Sequence, residues 1–600
     1  MGEFTLVDNI LISIRGEAQL MKQTPDVATT NPVDRLFHAR LGKATLGVSP
    51  ASLMVTYLDW LAHLLISPGK QTELLEKARR KTSRFAIYAL KSALDPDTPP
   101  VIDPLPQDHR FRDEAWQRWP FNLIHQSFLL NQQLFYNAAT GIRGVSRRHE
   151  QALCFLTRQM LDVFSPSNFI LTNPEVLETT IKEGGKNLLQ GWMNFVEDQE
   201  RALSGKKPVG SEEFQVGKNL AITPGKVVFR NRLMELIQYE PTTEKVYKEP
   251  VLMLSAWMMK YYIMDLSQEN SMVKFLVDRG HTVFMISWLN PSADDRDLDM
   301  EDYRNLGIMD ALKAINSIVP KAKVHTVGYC LGGIILTIAA AAICRDHDKR
   351  LASMTLLTTL TDFNDPGELA VFIDPSEVSY LEDMMWEQGY LDPRQAAGSF
   401  QLLRSHDLIW SKMVREYLLG KRQPMFDLMA WNSDGTRMPY RQHSQLLRRL
   451  FLNNDLWDGR YRVGDRPIAI SDIHIPIFAV AATGDHVAPW RSVHRLHLQT
   501  DAEEFTFVLT SGGHNVGIVN PPGPKARGHR IATSKAGDRY VDPDTWLVTV
   551  PEREGSWWVA WEEWLSQRSS EKTAPPTMGN PHHNGYVPLG DAPGTYVLQE

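Results

Sequence analysis

The sequence predicts an α/β fold, a doubly wound and mostly parallel sheet, and three observations carry that expectation. From residue 226 onward, strand-like apolar runs alternate with helical segments, as a parallel sheet with crossover helices requires. One of those runs, Val324-His325-Thr326-Val327, passes through Gly328-Tyr329-Cys330-Leu331-Gly332-Gly333 directly into an apolar helix. Two later runs end at an acid and at a histidine, the chain order in which such sheets assemble nucleophile, acid and base.

Taken in order, residues 1–32 form a polar, weakly patterned leader ending in Thr29-Thr30-Asn31-Pro32, expected to be mobile. Residues 33–218 show helical periodicity and read as a helical N-terminal domain, with an aromatic-rich helix over 116–136 that packs on a core or a domain interface. Residues 219–570 read as the catalytic domain, with strands at 226–229, 233–239, 250–254, 282–286, 324–327 and 354–360. The stretch from about 363 to 470 has helical and aromatic segments but no clear strand. It reads as a helical cap insertion over the carboxyl ends of the strands, where open sheets hold their sites. Strands follow at 475–482 and 504–509. Residues 571–600 turn to Pro, Gly, Ser and His and are expected to run as a tail along the surface.

The Gly-rich turn around Cys330 carries the chemistry. In a nucleophile elbow the attacking side chain sits on a strained strand-to-helix bend, and flanking glycines let the two backbones approach. Gly328 and Gly332 fill those places, with cysteine where hydrolases usually hold serine, so the predicted architecture is the α/β-hydrolase fold. The pattern alone is only moderately specific, because free cysteines are commonly small buried hydrophobes. The rest of the chain adds weight. Thr483-Gly484-Asp485-His486 places Asp485 just past one strand, and Ser511-Gly512-Gly513-His514 places an imidazole just past the next. Asp485 has a structural alternative as a cap for the helix near Trp490, and His486 competes for the role of base. His514 is preferred because Gly512-Gly513 suits a sharply placed loop and because the order nucleophile, acid, base fits. The Leu331 amide, first in the helix, would face the oxygen under attack and favour thiolate. The second amide of an oxyanion hole should come from the loop after 250–254, at Trp257 or Met258.

Composition narrows the function classes. At 600 residues two domains are expected, and a net charge of -7 argues against nucleic acid. Three scattered cysteines, Cys154, Cys330 and Cys344, are too few for a disulfide framework or a zinc site and suit a reducing, cytoplasmic compartment. No secretory signal and no nucleotide-cradling glycine loop are visible. The helix over 331–344 is too short for a membrane span.

With these residues in hand the sequence resembles the polyhydroxyalkanoate synthases. The resemblance rests on the Cys330 elbow, Gly484-Asp485-His486-Val487-Ala488-Pro489-Trp490, the stretch from Gly513-His514-Asn515 to Asn520-Pro521-Pro522, and Gly555-Ser556-Trp557-Trp558. N-terminally it includes Phe111-Arg112-Asp113-Glu114-Ala115-Trp116, Ser165-Pro166-Ser167-Asn168-Phe169 and Asn173-Pro174-Glu175. It covers about residues 35–565 and points to the single-subunit, class I-like form. What it implies is polymerisation of (R)-3-hydroxyacyl-CoA with release of CoA, no cofactor beyond that thioester substrate, a growing polyester chain and its granule surface as partners, and a homodimer. Trp431 and His486 become substrate-pocket candidates, with a packing tryptophan as the alternative for Trp431. Asp485 either orients His514 or acts on the attacking hydroxyl. One departure stands out: Ser255-Ala256-Trp257-Met258-Met259 replaces the family's Pro-Pro-Trp-Ile-Asn before Lys260-Tyr261-Tyr262, so the loop loses the prolines that would stiffen it. The competing functions are a thioesterase or esterase of the same fold, which would yield free acid, and a non-catalytic granule-associated protein, indifferent to Cys330→Ala.

Overall fold

The computed structural model describes residues 31–45, 47–403 and 405–600, so the leader expected over 1–32 lies almost wholly outside the described residues. An eleven-stranded sheet organises the molecule. Its strands are β1 Gly225–Arg230, β2 Met234–Tyr239, β3 Val251–Leu254, β4 Val283–Trp288, β5 Val324–Tyr329, β6 Leu351–Leu357, β7 Ile477–Ala482, β8 Glu504–Thr510, β9 His529–Lys535, β10 Glu552–Arg553 and β11 Gly590–Asp591. The spatial order is β10-β9-β8-β7-β6-β5-β3-β4-β2-β1-β11. The block from β4 to β8 is parallel throughout, and the strands outside it are antiparallel. The chain has the α/β-hydrolase fold.

The central strands are buried on both faces because their sequences are near-continuous apolar runs, the pattern of a sheet covered on both sides. On one face lies the helix Leu331–Arg345, apolar all round and buried from Leu331 to Ile343, as a helix enclosed in a core must be. On the other, the helix Trp557–Ser566 sets Trp557, Trp558, Trp561 and Trp564 under the sheet. The indole Nε1 of Trp561 donates to Thr355 Oγ1 at 3.0 Å. Register aligns the strand ends: Gly328 of β5 pairs with Leu254 of β3 and Leu356 of β6, and Ala482 of β7 pairs with Thr510 of β8. Residues just past β5, β7 and β8 therefore share one edge.

Three features depart from the sequence reading. β9, β10 and β11 were not foreseen, because the polar-rich β9 and the two-residue β10 and β11 lack an apolar run. The aromatic helix begins at Phe121, not 116, and runs to Ala139; Trp116 sits in a preceding short turn, packed edge-on against Phe111. The segment expected as a surface tail instead adds the two-residue edge strand β11 to the sheet and buries Tyr586 and Val597 in the core.

Several helices before residue 204 start at side-chain caps, such as Ser49 accepting from the Ser52 amide and Ser146 from the His149 amide. They seat mainly on the segment read as the cap. His38 Nδ1 lies 2.8 Å from Asp383, the Ser49 amide donates to Glu377 at 2.8 Å, Asn187 Nδ2 donates to the Leu418 carbonyl at 2.8 Å and Asn194 Nδ2 to the Glu416 carbonyl at 3.0 Å. Asp198 accepts from the Tyr417 hydroxyl at 2.8 Å and from Arg422 at 2.6 Å. Between them Gly191 lies flush against the Tyr417 carbonyl, where any Cβ would collide with backbone. Gly191→Ala should separate the surfaces at a cost of about 1–3 kcal/mol, and limited proteolysis should then cut the helical region faster. An unchanged cleavage rate would contradict this seating.

Candidate active site

Cys330 occupies the bend between β5 and the buried helix with φ 55° and ψ -120°, a conformation an L-residue adopts only under constraint. The constraint is close packing of backbone. A Cβ on Gly328 would stand 2.5 Å from Gly333 Cα, one on Gly332 would stand 2.6 Å from the Ser255 carbonyl oxygen, and one on Gly333 would strike the Thr359 hydroxyl. The Cys330 amide donates to the Leu357 carbonyl at 2.9 Å, which pins the bend to β6.

Asp485 lies in the loop after β7. Its Oδ1 accepts from the Val487 and Ala488 amides at 2.8 and 2.9 Å, and its Oδ2 faces His514 Nδ1 at 2.7 Å. The carboxylate is fully enclosed and the His514 side chain is 11% exposed. Asp485 thus does cap the following turn, while its second oxygen orients the imidazole. The far nitrogen, Nε2, has no ordinary hydrogen-bond partner among the described residues, and Cys330 lies close enough to the ring to favour its charged form. Burial opposes charge on the ring, but Asp485 and Cys330 outweigh it and hold the His514 pKa well above the usual imidazole value.

The loop carrying Trp257 and Met258 runs against the first turn of the elbow helix, as the Gly332 contact shows. Trp288 Nε1 donates to the Ser255 carbonyl at 3.0 Å. Thr436 of the cap donates its hydroxyl to the Trp257 carbonyl at 2.7 Å and its amide to the Met258 carbonyl at 2.9 Å. These bonds stiffen a loop that lacks the expected prolines. The amides of Trp257, Met258 and Leu331 donate to no backbone carbonyl among the described residues, so they are available as oxyanion donors. The same loop is tied further along: burial pushes the Lys260 pKa down to about 8, and its Nζ donates to the Gln599 carbonyl at 2.6 Å.

Cys330, Asp485, His514 and the Trp257–Met258 loop are therefore brought to one edge of the sheet. Trp431 and His486 are placed differently. Trp431 is 2% exposed, and its Nε1 donates to the Lys260 carbonyl at 2.8 Å, so it docks the cap onto the loop. His486 is half-buried, and its backbone carbonyl lies against Gly367 and accepts from the Glu368 amide at 3.4 Å; Asp485 turns to His514 instead. Sequence reasoning missed Tyr329, whose hydroxyl donates to Asn515 Oδ1 at 2.5 Å, and the supports of the histidine loop. Trp557 Nε1 donates to the Gly517 carbonyl at 3.0 Å and Trp558 Nε1 to the Ile518 carbonyl at 2.9 Å. The available signal was the pairing of Gly513–Pro522 with Gly555–Trp558 as motifs, which carried a resemblance without a physical task.

Comparison with known proteins agrees with this architecture. The description "alpha/beta hydrolase fold" matches residues 249–521. Two others match upstream: "Poly-beta-hydroxybutyrate polymerase (PhaC) N-terminus" over residues 107–276 and "Poly-beta-hydroxybutyrate polymerase N terminal" over 28–70. The poly(3-hydroxyalkanoate) polymerase of Methylorubrum extorquens is 40% identical over 83% of this chain and 82% of its own. The poly(3-hydroxyalkanoate) polymerase subunit PhaC of Cupriavidus necator is 33% identical over 97% of both. A monoacylglycerol lipase structure from Paleococcus ferrophilus matches 56% of this chain and 99% of its own at 12% identity and TM-score 0.31. The chain belongs to the poly(3-hydroxyalkanoate) polymerase family.

The Asp485–His514 pair has a pH signature. A histidine whose folded pKa is raised adds stability that is fully present below its unfolded value of about 6.5 and is lost as pH rises through the folded value. Denaturation midpoints of the native protein and of Asp485→Asn should therefore differ most below about pH 6.5 and converge as pH rises beyond it. A gap that stays constant or widens with pH would contradict the pairing.

Proposed function

We propose that the chain polymerises (R)-3-hydroxyacyl-CoA into polyhydroxyalkanoate, releasing CoA, through an acyl thioester on Cys330. The observation that carries the reading is an imidazole held between an enclosed carboxylate and the elbow cysteine. The relatives from Methylorubrum extorquens and Cupriavidus necator, both poly(3-hydroxyalkanoate) polymerases, support the reaction class.

In the first half-reaction His514 takes the Cys330 proton, sulfur attacks the thioester carbonyl, and the CoA thiolate leaves with a proton from the imidazolium. The amides of Leu331 and of the Trp257–Met258 loop would receive the oxyanion. In the second, the hydroxyl of another hydroxyacyl unit attacks the Cys-bound acyl group, forming an ester and freeing the thiol. A thioester preserves the activation of the CoA substrate until that attack, which an ester on serine would not. Because Oδ1 of Asp485 is occupied by two amides and Oδ2 by His514, its orienting role is favoured over action on the hydroxyl. The cap over this edge would restrict water, whose attack ends the chain.

The reading extends to surroundings: a cytoplasmic homodimer at the surface of the polyester granule. No described helix is long and apolar enough to cross a membrane, while Leu189, Trp192 and Val196 stand exposed on the helix Lys186–Leu203 and suit an apolar partner. With 3-hydroxybutyryl-CoA the purified protein should yield insoluble polyester and free CoA, while Cys330→Ala should yield neither. Cys330→Ser should reduce CoA release by about a thousandfold or more. Free 3-hydroxy acid in place of polymer would support a thioesterase, and an active Cys330→Ala would remove the thioester route altogether.

A further inference from the structure

We propose that Tyr329 and Asn515 are positioning residues, a hydrogen-bonded strut that fixes the spacing between the nucleophile and the base. The inference rests on the reading that Cys330 and His514 carry acyl transfer. Tyr329 is the last residue of β5, immediately before Cys330, and Asn515 immediately follows His514. Their side chains join at 2.5 Å, tyrosine hydroxyl to amide oxygen. The tyrosine ring is 2% exposed and lies 5.6 Å from the His514 ring, tilted by 41°. One buried side chain thus bonds to the base loop and packs against the base.

The topology explains why a strut is needed. β5 and β8 are separated by β6 and β7, so the backbone sets the distance from Cys330 to His514 only through two intervening strands. The other supports of the histidine loop come from elsewhere: the Gly484 amide donates to the Gly512 carbonyl at 2.8 Å from the aspartate loop, and the Trp557 and Trp558 indoles donate from the helix beneath. They fix the loop to its neighbours and not to the nucleophile's strand. The Tyr329–Asn515 bond spans that gap directly. Asn515 also starts the turn that seats the loop, its carbonyl accepting from the Ile518 and Val519 amides at 3.1 and 3.0 Å. Burial, together with Cys330 and Asp485, raises the phenol's pKa far above its usual value, which keeps the hydroxyl a donor.

Polymerisation makes a particular demand on this spacing. His514 serves one proton transfer at sulfur and another at an incoming hydroxyl, so a displaced ring harms both half-reactions while leaving substrate binding alone. The expected effect of losing the strut is a fall in kcat with KM preserved, because misplacement of a reacting group by about 1 Å costs up to about a hundredfold.

The test measures CoA release from 3-hydroxybutyryl-CoA by the full chain and by Tyr329→Phe, Asn515→Ala, the Tyr329→Phe/Asn515→Ala double variant and Cys330→Ala, each with its thermal midpoint. Tyr329→Phe, which removes one oxygen from a ring otherwise kept in place, should lower kcat by about ten- to a hundredfold with KM within about twofold. The double variant should lose no more than the worse single variant, as partners in one bond require. Full kcat in Tyr329→Phe, or losses that multiply in the double variant, would overturn the strut. Loss of kcat matched by an equal rise in KM, or by a collapsed thermal midpoint in both single variants, would assign these residues to general structure and equally overturn it. If Cys330→Ala releases CoA normally, the proposed function fails instead, whatever Tyr329→Phe does.

Discussion

The molecule depends on keeping one non-glycine residue in a conformation it would not choose. Cys330 at φ 55° stores about 1–3 kcal/mol of backbone strain, and no single contact could hold it there. Three glycines around it remove the side chains that would otherwise separate strand, helix and the Ser255 loop. A strand and a helix buried along almost their whole length then supply the opposing stabilisation. The same packing that enforces the bend places the helix's first amides and the Ser255–Met259 loop side by side, so the strained cysteine and the candidate oxyanion donors are consequences of one arrangement.

The electrostatics of the site follow from enclosure. A buried imidazole normally resists protonation, yet His514 is shifted the other way because an enclosed carboxylate and the elbow cysteine both face it. Two backbone amides and the imidazole satisfy the oxygens of Asp485 in that setting. In the proposed cycle this bias has a use. An imidazolium beside sulfur holds the proton that departing CoA must collect, and low exposure keeps that proton from bulk water.

Much of this was legible in the sequence, and the reasons are physical. Parallel strands buried on both faces betray themselves as apolar runs, so β3 to β8 could be read, and the glycines around Cys330 marked a bend that only close backbone approach explains. Asp485 and His514 were readable because each ends such a run. What escaped is what periodicity does not encode. β9 and β10 are antiparallel additions with few apolar residues, and β11 is a two-residue strand whose partner β1 lies more than 350 positions earlier in sequence. Asn515 looks like an ordinary loop residue until the topology brings Tyr329 to it across two strands. The loss of prolines before Lys260 suggested a looser loop, because the bonds from Trp288 and Thr436 that replace their stiffness come from residues about 30 and 180 positions away in sequence.

That replacement ties the cap to the chemistry more closely than a lid alone would. Thr436 grips the carbonyls of Trp257 and Met258, Trp431 grips that of Lys260, and these carbonyls belong to the stretch whose amides are candidates for the oxyanion. The opposite side of the cap is held by the N-terminal helices through Asn187, Asn194 and Asp198. Side-chain bonds therefore run from those helices to the cap and from the cap to the candidate oxyanion loop. A loop stiffened by prolines would be independent of such bonds. A loop stiffened by the cap is not, because in this chain the stretch carrying the candidate oxyanion amides is bonded to the cap itself.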